Sequence, residues 1–264
     1  MERIIRIGIP EGIWSTALEA LAHKVFRLPS WQCELVPLDA DQLQGALLRG
    51  EVGCLARPLH ETPVNPPEGI AHAALIERMD AAYTLLIRPE IQTNALFRLP
   101  PGAVVQVAHP AIGAQLRDFR PDLRLIPAGG DADARVLPSP EAAQFSAGSG
   151  DLVRLALNPR EICPLPGEGA IVLQICAGDL ATRRLLQSVH RPGLSALTNV
   201  ERKLQRLMGG DPQLALGAFC ERDAMGHYHL WASFSAGEGT ALKRLRLSSS
   251  TTFELASQAF AAFQ

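Results

Sequence analysis

The chain has 264 residues, 47% of them hydrophobic, so it can bury a substantial core in one to three domains. Its formal net charge of -2 gives no bulk attraction to polyanions, which argues against nucleic acid or an anionic membrane as a partner. The sequence has neither a signal-peptide pattern nor an apolar stretch of about 18 residues, so we expect a cytoplasmic protein that does not span a membrane.

The cysteines and histidines do not indicate a disulfide framework or a metal site. The five cysteines are odd in number and never spaced as Cys-x-x-Cys, which is typical of buried thiols. His227 and His229 share one face of a predicted strand, but no third ligand completes a site, so surface or packing roles are favoured.

Alternating strand and helix patterns predict an α/β fold for most of the chain. In chain order the predicted elements are a strand over 3–9, a helix over 15–26, a strand over 33–38, a helix over 41–48, strands over 53–56, 83–87 and 104–107, a helix over 112–119, and strands over 123–126 and 170–176. The segment 129–149 is rich in Gly, Ala, Ser and Pro and only weakly patterned, so we expect it to be partly mobile.

The last third of the chain has a different pattern. A helix that ends near residue 208 precedes alternating strands over 214–220, 227–233 and 242–247 and a helix over 253–263. This order predicts a small α+β domain.

Several short motifs follow one another in an order that is typical of a single family. They include Glu61-Thr62-Pro63-Val64, the turn around Pro100-Pro101-Gly102, Arg120-Pro121-Asp122-Leu123, Gly167-Glu168-Gly169-Ala170 and Glu201-Arg202. Over nearly its whole length the chain resembles the porphobilinogen deaminases, also called hydroxymethylbilane synthases.

The resemblance implies a fold of two α/β domains of the type II periplasmic-binding kind and a small C-terminal α+β domain. The implied boundaries are 1–90 with 166–185 for the first domain, 91–165 for the second and 186–264 for the third, with chain crossings at 88–93 and 165–169. A small-molecule ligand is expected in a hinged cleft between the two α/β domains of a monomer.

Asp211 stands where the resemblance implies a cysteine. The segment 200–210 is similar to the one that leads, in this family, to the cysteine that carries a dipyrromethane cofactor through a thioether. A carboxylate cannot form a thioether. We therefore expect that dipyrromethane is absent and that the chain uses no cofactor.

Glu61 and His60 are the candidate catalytic residues. The family stabilises a cationic azafulvene with the aspartate of a Lys-Asp-Val-Pro motif, and the matching positions here are His60-Glu61-Thr62-Pro63. The carboxylate is kept on a side chain that is one methylene longer, and a displacement of about 1 Å can cost much of the rate. A solvated loop carboxylate ahead of Pro63 is an equally favoured interpretation.

The candidate substrate-binding residues are fewer than the family's arginines, which bind the acetate and propionate groups of the substrate. Ala111 and Ile112 replace a pair of these arginines, and a lysine-bearing loop is missing before residue 41. The candidates that remain are Arg135, His109, Glu168 and Asp211.

Three functions remain open on the sequence. The first is a diverged transferase or deaminase/lyase-like enzyme that acts on another small ligand, such as a pyrrole, with Glu61 as acid or base. The second is a non-catalytic ligand-binding or regulatory protein linked to tetrapyrrole biosynthesis. The third is an active hydroxymethylbilane synthase with an unusual primer attachment, which Asp211 disfavours.

Overall fold

Runs of β-branched and aliphatic residues form the strands, and helices with one apolar face connect them. The structure is a computed structural model that describes residues 3–12, 15, 16, 18, 19, 31–145, 152–237 and 239–264. Within these residues the strands are β1 (Arg3–Pro10), β2 (Trp31–Leu38), β3 (Cys54–Pro58), β4 (Ile70–Arg78), β5 (Tyr83–Ile87), β6 (Val104–Val107), β7 (Arg124–Ile126), β8 (Ala134–Pro138), β9 (Val153–Ala156), β10 (Ala170–Cys176), β11 (Leu216–Arg222), β12 (Tyr228–Phe234) and β13 (Lys243–Ser249).

The helices of the described residues are short apart from one. They are α1 (Leu43–Leu48), α2 (Pro110–Phe119), α3 (Ser139–Gln144), α4 (Leu180–Leu186), α5 (Pro192–Leu207) and α6 (Leu255–Phe263). The helix predicted over 15–26 lies largely outside the described residues, of which 15, 16, 18 and 19 are helical.

Two five-stranded sheets share one topology. Their strand orders are β2-β1-β3-β10-β4 and β7-β6-β8-β5-β9. In each sheet the first three strands are parallel, and the fourth is antiparallel to both of its neighbours. This is the strand arrangement of type II periplasmic-binding domains, so the predicted α/β fold class is confirmed.

The third sheet is an antiparallel meander of β11, β12 and β13. One face packs on α5 and α6 around a core that includes Leu204, Leu230 and Ala259, each fully buried. This sheet with its two helices forms the α+β part that the sequence predicts.

The chain divides into two compact units. The first comprises residues 1–79 and 169–196, and the second comprises 80–168 and 197–264. The first crossing falls between Met79 and Asp80, ahead of the expected 88–93, because β5 pairs with β8 and β9 of the second unit. The division into three domains stays a prediction.

The weakly patterned segment 129–149 is more ordered than its composition suggests. Residues 134–138 form β8, which pairs with β5 on one side and β6 on the other, and α3 follows directly. The sequence pattern did not predict β8, because this strand depends on hydrogen bonds to two strands that are distant in sequence. Partial mobility of the segment stays a prediction.

Candidate functional site

The loop after β3, in the first unit, carries His60 and Glu61. The Glu61 side chain is 35% exposed and the His60 side chain 10%, and His60 Nε2 lies 3.9 Å from Glu61 Oε1. The loop backbone is fixed, since the Leu59 amide donates to the Ala170 carbonyl at 2.7 Å and the Thr62 hydroxyl donates to the Leu59 carbonyl at 2.7 Å. Glu61 can thus meet a ligand from a fixed position.

Arg57, the penultimate residue of β3, is a buried cation that sequence reasoning missed. Burial lowers the pKa of its guanidinium, and the negative charge of Glu61 acts against that shift. The available signal was a lone arginine in the otherwise apolar run Cys54-Leu55-Ala56-Arg57.

Glu168 lies at the end of a tight turn in the second unit and is fully buried. The Tyr83 hydroxyl donates a hydrogen bond to Glu168 Oε2 at 3.0 Å. Gly167, with φ +86°, lets the backbone turn, and its amide donates to Glu201 Oε2 at 2.8 Å. These contacts fix the Glu168 carboxylate, and sequence reasoning found neither Tyr83 nor Glu201 as its supports.

Burial, together with the Glu168 charge, raises the pKa of Tyr83 well above its usual value. As pH rises above about 10, the unfolded chain loses this proton first, so wild-type stability should fall by up to about 1.4 kcal/mol per pH unit. Tyr83→Phe should cost about 1–2 kcal/mol at pH 8 and remove this alkaline loss. Urea unfolding from pH 8 to 11 tests this, with Tyr228→Phe as the control that keeps Tyr83; an unchanged alkaline slope in Tyr83→Phe would contradict it.

His109 connects the start of α2 to the loop that carries Asp211. Its Nδ1 accepts from the Ala111 amide at 3.1 Å, so Nε2 carries the proton and donates to the Pro212 carbonyl at 2.8 Å. Asp211 is exposed, and its Oδ1 accepts from the Gln213 amide at 2.8 Å. Both ring nitrogens of His109 therefore already bond to protein, and a role in ligand binding stays a prediction that requires the Pro212 contact to open.

Among the described residues, Arg135 contacts Phe145 rather than any of the other candidate residues. Its guanidinium carbon lies 5.2 Å from the centre of the Phe145 ring. The structure thus brings together His60 with Glu61 in one unit and His109 with the Asp211 loop in the other. Arg135 and Glu168 each have their own neighbours in the second unit.

A cavity of about 740 Å³ lies in the second unit beside His109. The turn before α2 lines one side, Arg117 and Asp118 of α2 line another, and Ser235 and Thr240 of the C-terminal sheet region complete it. The volume is in the range of small-molecule sites. Among the described residues no group of three or more His, Cys, Asp or Glu side chains could hold a metal ion.

Comparison with known proteins identifies the family of the chain. The family model described as "Porphobilinogen deaminase, dipyromethane cofactor binding domain" matches residues 31–184, which is more than half of the chain. The chain belongs to the porphobilinogen deaminase family.

Curated porphobilinogen deaminases from several bacteria are similar to this family member. The Thermobifida fusca protein is 32% identical over 214 residues (76% of this chain and 66% of that protein), and the Thermus thermophilus protein is 27% identical over 216 residues (78% and 71%). The Thiobacillus denitrificans protein is 30% identical over 191 residues (67% and 60%). The chain therefore spans about two thirds of the length of these relatives.

Solved structures of binding proteins are more distant. An ABC transporter periplasmic substrate-binding protein from Coxiella burnetii has a TM-score of 0.46 at 15% identity and covers 72% of this chain and 94% of its own. A nutrient binding protein from Burkholderia cenocepacia bound to methionine has a TM-score of 0.47 at 13% identity, with 78% and 98% covered. No helix among the described residues is long and apolar enough to cross a membrane.

The prediction that dipyrromethane has no place in this porphobilinogen deaminase relative is wrong. The matched family model is the domain that binds this cofactor. The prediction treated loss of the covalent bond at residue 211 as loss of the binding site. Non-covalent binding of a dipyrrole depends instead on charged groups and hydrogen bonds, and the matched segment ends before residue 211.

Covalent attachment of dipyrromethane at residue 211 is a different question from its binding. Asp211 does not fit such an attachment. Asp211 offers a carboxylate that already accepts the Gln213 amide, and a carboxylate has no sulfur with which to form a thioether. Cys220 is the next cysteine along the chain, and it is fully buried in the core of the C-terminal sheet.

Proposed function

We propose that this family member binds pyrroles that carry acidic side chains, dipyrromethane included, and does not extend a thioether-linked primer. The observation that carries the proposal is Asp211, an exposed carboxylate at the position where the family resemblance implies the attachment cysteine. Canonical primed synthesis of hydroxymethylbilane requires that thioether. Binding of a pyrrole does not require it, and the cofactor-binding segment is retained.

The pattern of charge supports binding without polymerisation. A growing pyrrole chain gains carboxylates with every unit, so it needs many cations around it. Ala111 and Ile112 are apolar and buried at the start of α2, where the resemblance implies two arginines. A single pyrrole or a dipyrrole has fewer charges to neutralise and suits the smaller set of arginines.

An enzymatic role on a single pyrrole is the second candidate, and Glu61 favours it. Its carboxylate is partly exposed on a fixed loop with His60 Nε2 at 3.9 Å, an arrangement that can move a proton to or from a bound ligand. Glu61→Gln should abolish any turnover of porphobilinogen while it leaves affinity within about threefold, since the two side chains have the same shape. Equal turnover in both proteins would exclude Glu61 as acid or base.

Mass spectrometry tests the proposal directly. Purified protein is incubated with porphobilinogen and measured under native and denaturing conditions. We expect an added mass in the native spectrum only, because the ligand is held without a covalent bond. An adduct that survives denaturation would overturn the loss of covalent priming, and no added mass in either spectrum would overturn pyrrole binding.

Two variants and a relative serve as controls. The Thermobifida fusca porphobilinogen deaminase, treated in the same way, provides the reference spectra. Asp211→Cys restores a thiol at the attachment position, and Asp211→Asn changes the charge without adding one. If the scarcity of cations matters, Asp211→Cys should form no tetrapyrrole; tetrapyrrole formation by this variant alone would show that residue 211 is the whole difference.

A further inference from the structure

One face of the first sheet carries a polar row between two apolar clusters. The antiparallel register of β3 and β10 pairs Arg57 with Val172 and Leu55 with Gln174, and alternate residues of a strand share a face. Leu55 packs in a cluster with α1, whereas Val172 packs in another with Leu59. Arg57 and Gln174 therefore lie side by side where the apolar packing of this face is interrupted.

Both polar side chains are buried and incompletely bonded. Arg57 is 9% exposed and Gln174 is 2% exposed. Nε of Arg57 and Oε1 of Gln174 are enclosed, and neither has a hydrogen-bond partner among the described residues. A folded protein seldom leaves a buried donor and a buried acceptor unused on neighbouring positions of one sheet face, because each has lost its bonds to water.

The position of the pair suits a ligand. Residues on diagonal positions of an antiparallel pair are neighbours on one face, roughly 7–8 Å apart, so two long side chains there can contact the same ligand group. Arg57 lies at the carboxyl end of β3, the edge where α/β sheets bind ligands, and Glu61 follows in the next loop. The donor, the acceptor and the candidate acid or base thus belong to one part of the first unit.

We propose that Arg57 and Gln174 form a subsite for a small organic acid that carries an N–H group. The Arg57 guanidinium binds the carboxylate, and Gln174 Oε1 accepts the N–H. This subsite rests on the proposed function and deepens it, because a pyrrole with acidic side chains supplies both groups. In this subsite Arg57 supplies, from the first unit, a positive charge that compensates for the arginines missing elsewhere.

Calorimetric titration with two probes tests the subsite. Porphobilinogen carries two carboxylates and a pyrrole N–H, and its dimethyl ester keeps the N–H but has no negative charge. Arg57→Met should weaken binding of the acid by about 10- to 100-fold and leave binding of the ester unchanged, because only the charged hydrogen bonds are lost. Gln174→Leu should weaken both probes by a similar factor, about 3- to 10-fold, because both donate the same N–H.

Arg6→Met is the matched control for loss of an arginine from the same sheet. Arg6 lies on β1 with a side chain that is 48% exposed, so its loss should change neither affinity. The thermal midpoint of ligand-free Arg57→Met should equal or exceed that of the wild type, because a poorly bonded buried charge is removed. A fall of more than about 5 °C would show that Arg57 has a structural role and would overturn the subsite.

N-acetylglycine, an acid with an amide N–H and no pyrrole ring, separates the subsite from the proposed function. If wild type and Arg57→Met bind porphobilinogen equally, the subsite is wrong and the proposed function stands. If the wild type binds N-acetylglycine but not porphobilinogen, and Arg57→Met binds neither, the subsite stands and the proposed function is wrong. Failure of the wild type to bind either acid overturns both.

Discussion

Replacement of Glu201 by alanine is expected to lower the free energy of unfolding of the second unit by about 3–5 kcal/mol. Glu201 lies on α5 and is fully buried. Its Oε2 accepts from the Gly167 amide and its Oε1 from the Cys220 amide, both at 2.8 Å. Alanine would leave two buried amides without acceptors and a cavity beside them, and each orphaned amide costs about 1–3 kcal/mol.

Two further substitutions identify the cause of the loss. Glu201→Gln keeps the shape but presents an NH₂ group to one of the two amides, so it should cost about half as much as alanine. Lys203→Ala lies on the exposed side of the same helix and should change stability by less than about 0.5 kcal/mol. Urea unfolding measures all three, followed by the fluorescence of Trp231 in a background in which Trp14 and Trp31 are replaced by phenylalanine. A loss below about 1 kcal/mol in Glu201→Ala would contradict the bonding role.

Glu201→Ala should also affect the turn that carries the candidate residue Glu168. Gly167, which Glu201 holds, directly precedes Glu168, whose carboxylate accepts the Tyr83 hydroxyl. Loss of the Gly167 contact should therefore loosen this turn before the whole unit unfolds. Hydrogen exchange at residues 165–168 should rise in Glu201→Ala more than at β12 of the same unit.

The local hydrophobic pattern was sufficient to predict elements whose own residues alternate regularly between a buried and an exposed face. The strands and helices of the C-terminal sheet were predicted to within a few residues, because each strand alternates between a core face and an outer face. Strand β4 (Ile70–Arg78) was missed, and so was β8. Both depend on partners that are distant in sequence: β4 pairs with β10, and β8 pairs with β5 and β6.

The candidate site was only partly accessible from sequence. Resemblance to the family identified Glu61 and Asp211, because their positions follow short motifs in order. Arg57 and Gln174 lie in apolar strands that are far apart in the chain, and only the register of β3 against β10 brings them together. Tyr83 was missed as the partner of Glu168 for the same reason, since a hydrogen bond across 85 positions leaves no local pattern.

Gly217→Ala is expected to destabilise the second unit by about 3 kcal/mol. A Cβ atom at this position on β11 would lie 2.5 Å from the Cys163 carbonyl oxygen, 2.8 Å from Cys163 Cβ and 2.8 Å from Ser233 Oγ. The Ser233 hydroxyl can rotate away, but the backbone at Cys163 cannot, because the next residue, Pro164, accepts the Ala218 amide at 2.8 Å. The strand and the segment before Glu168 would have to separate.

Gly113→Ala is the matched control, because the same methyl group is added in the same unit with the opposite expected sign. Its Cβ would lie 3.5 Å from Leu125 Cδ1, an ordinary van der Waals contact, and Gly113 is inside helix α2. Alanine in a helix interior is favoured over glycine by about 0.5–1 kcal/mol, so Gly113→Ala should raise stability. Urea unfolding should thus separate the two variants by about 3–4 kcal/mol; equal stabilities would mean that β11 does not approach Cys163 as closely as the structure shows.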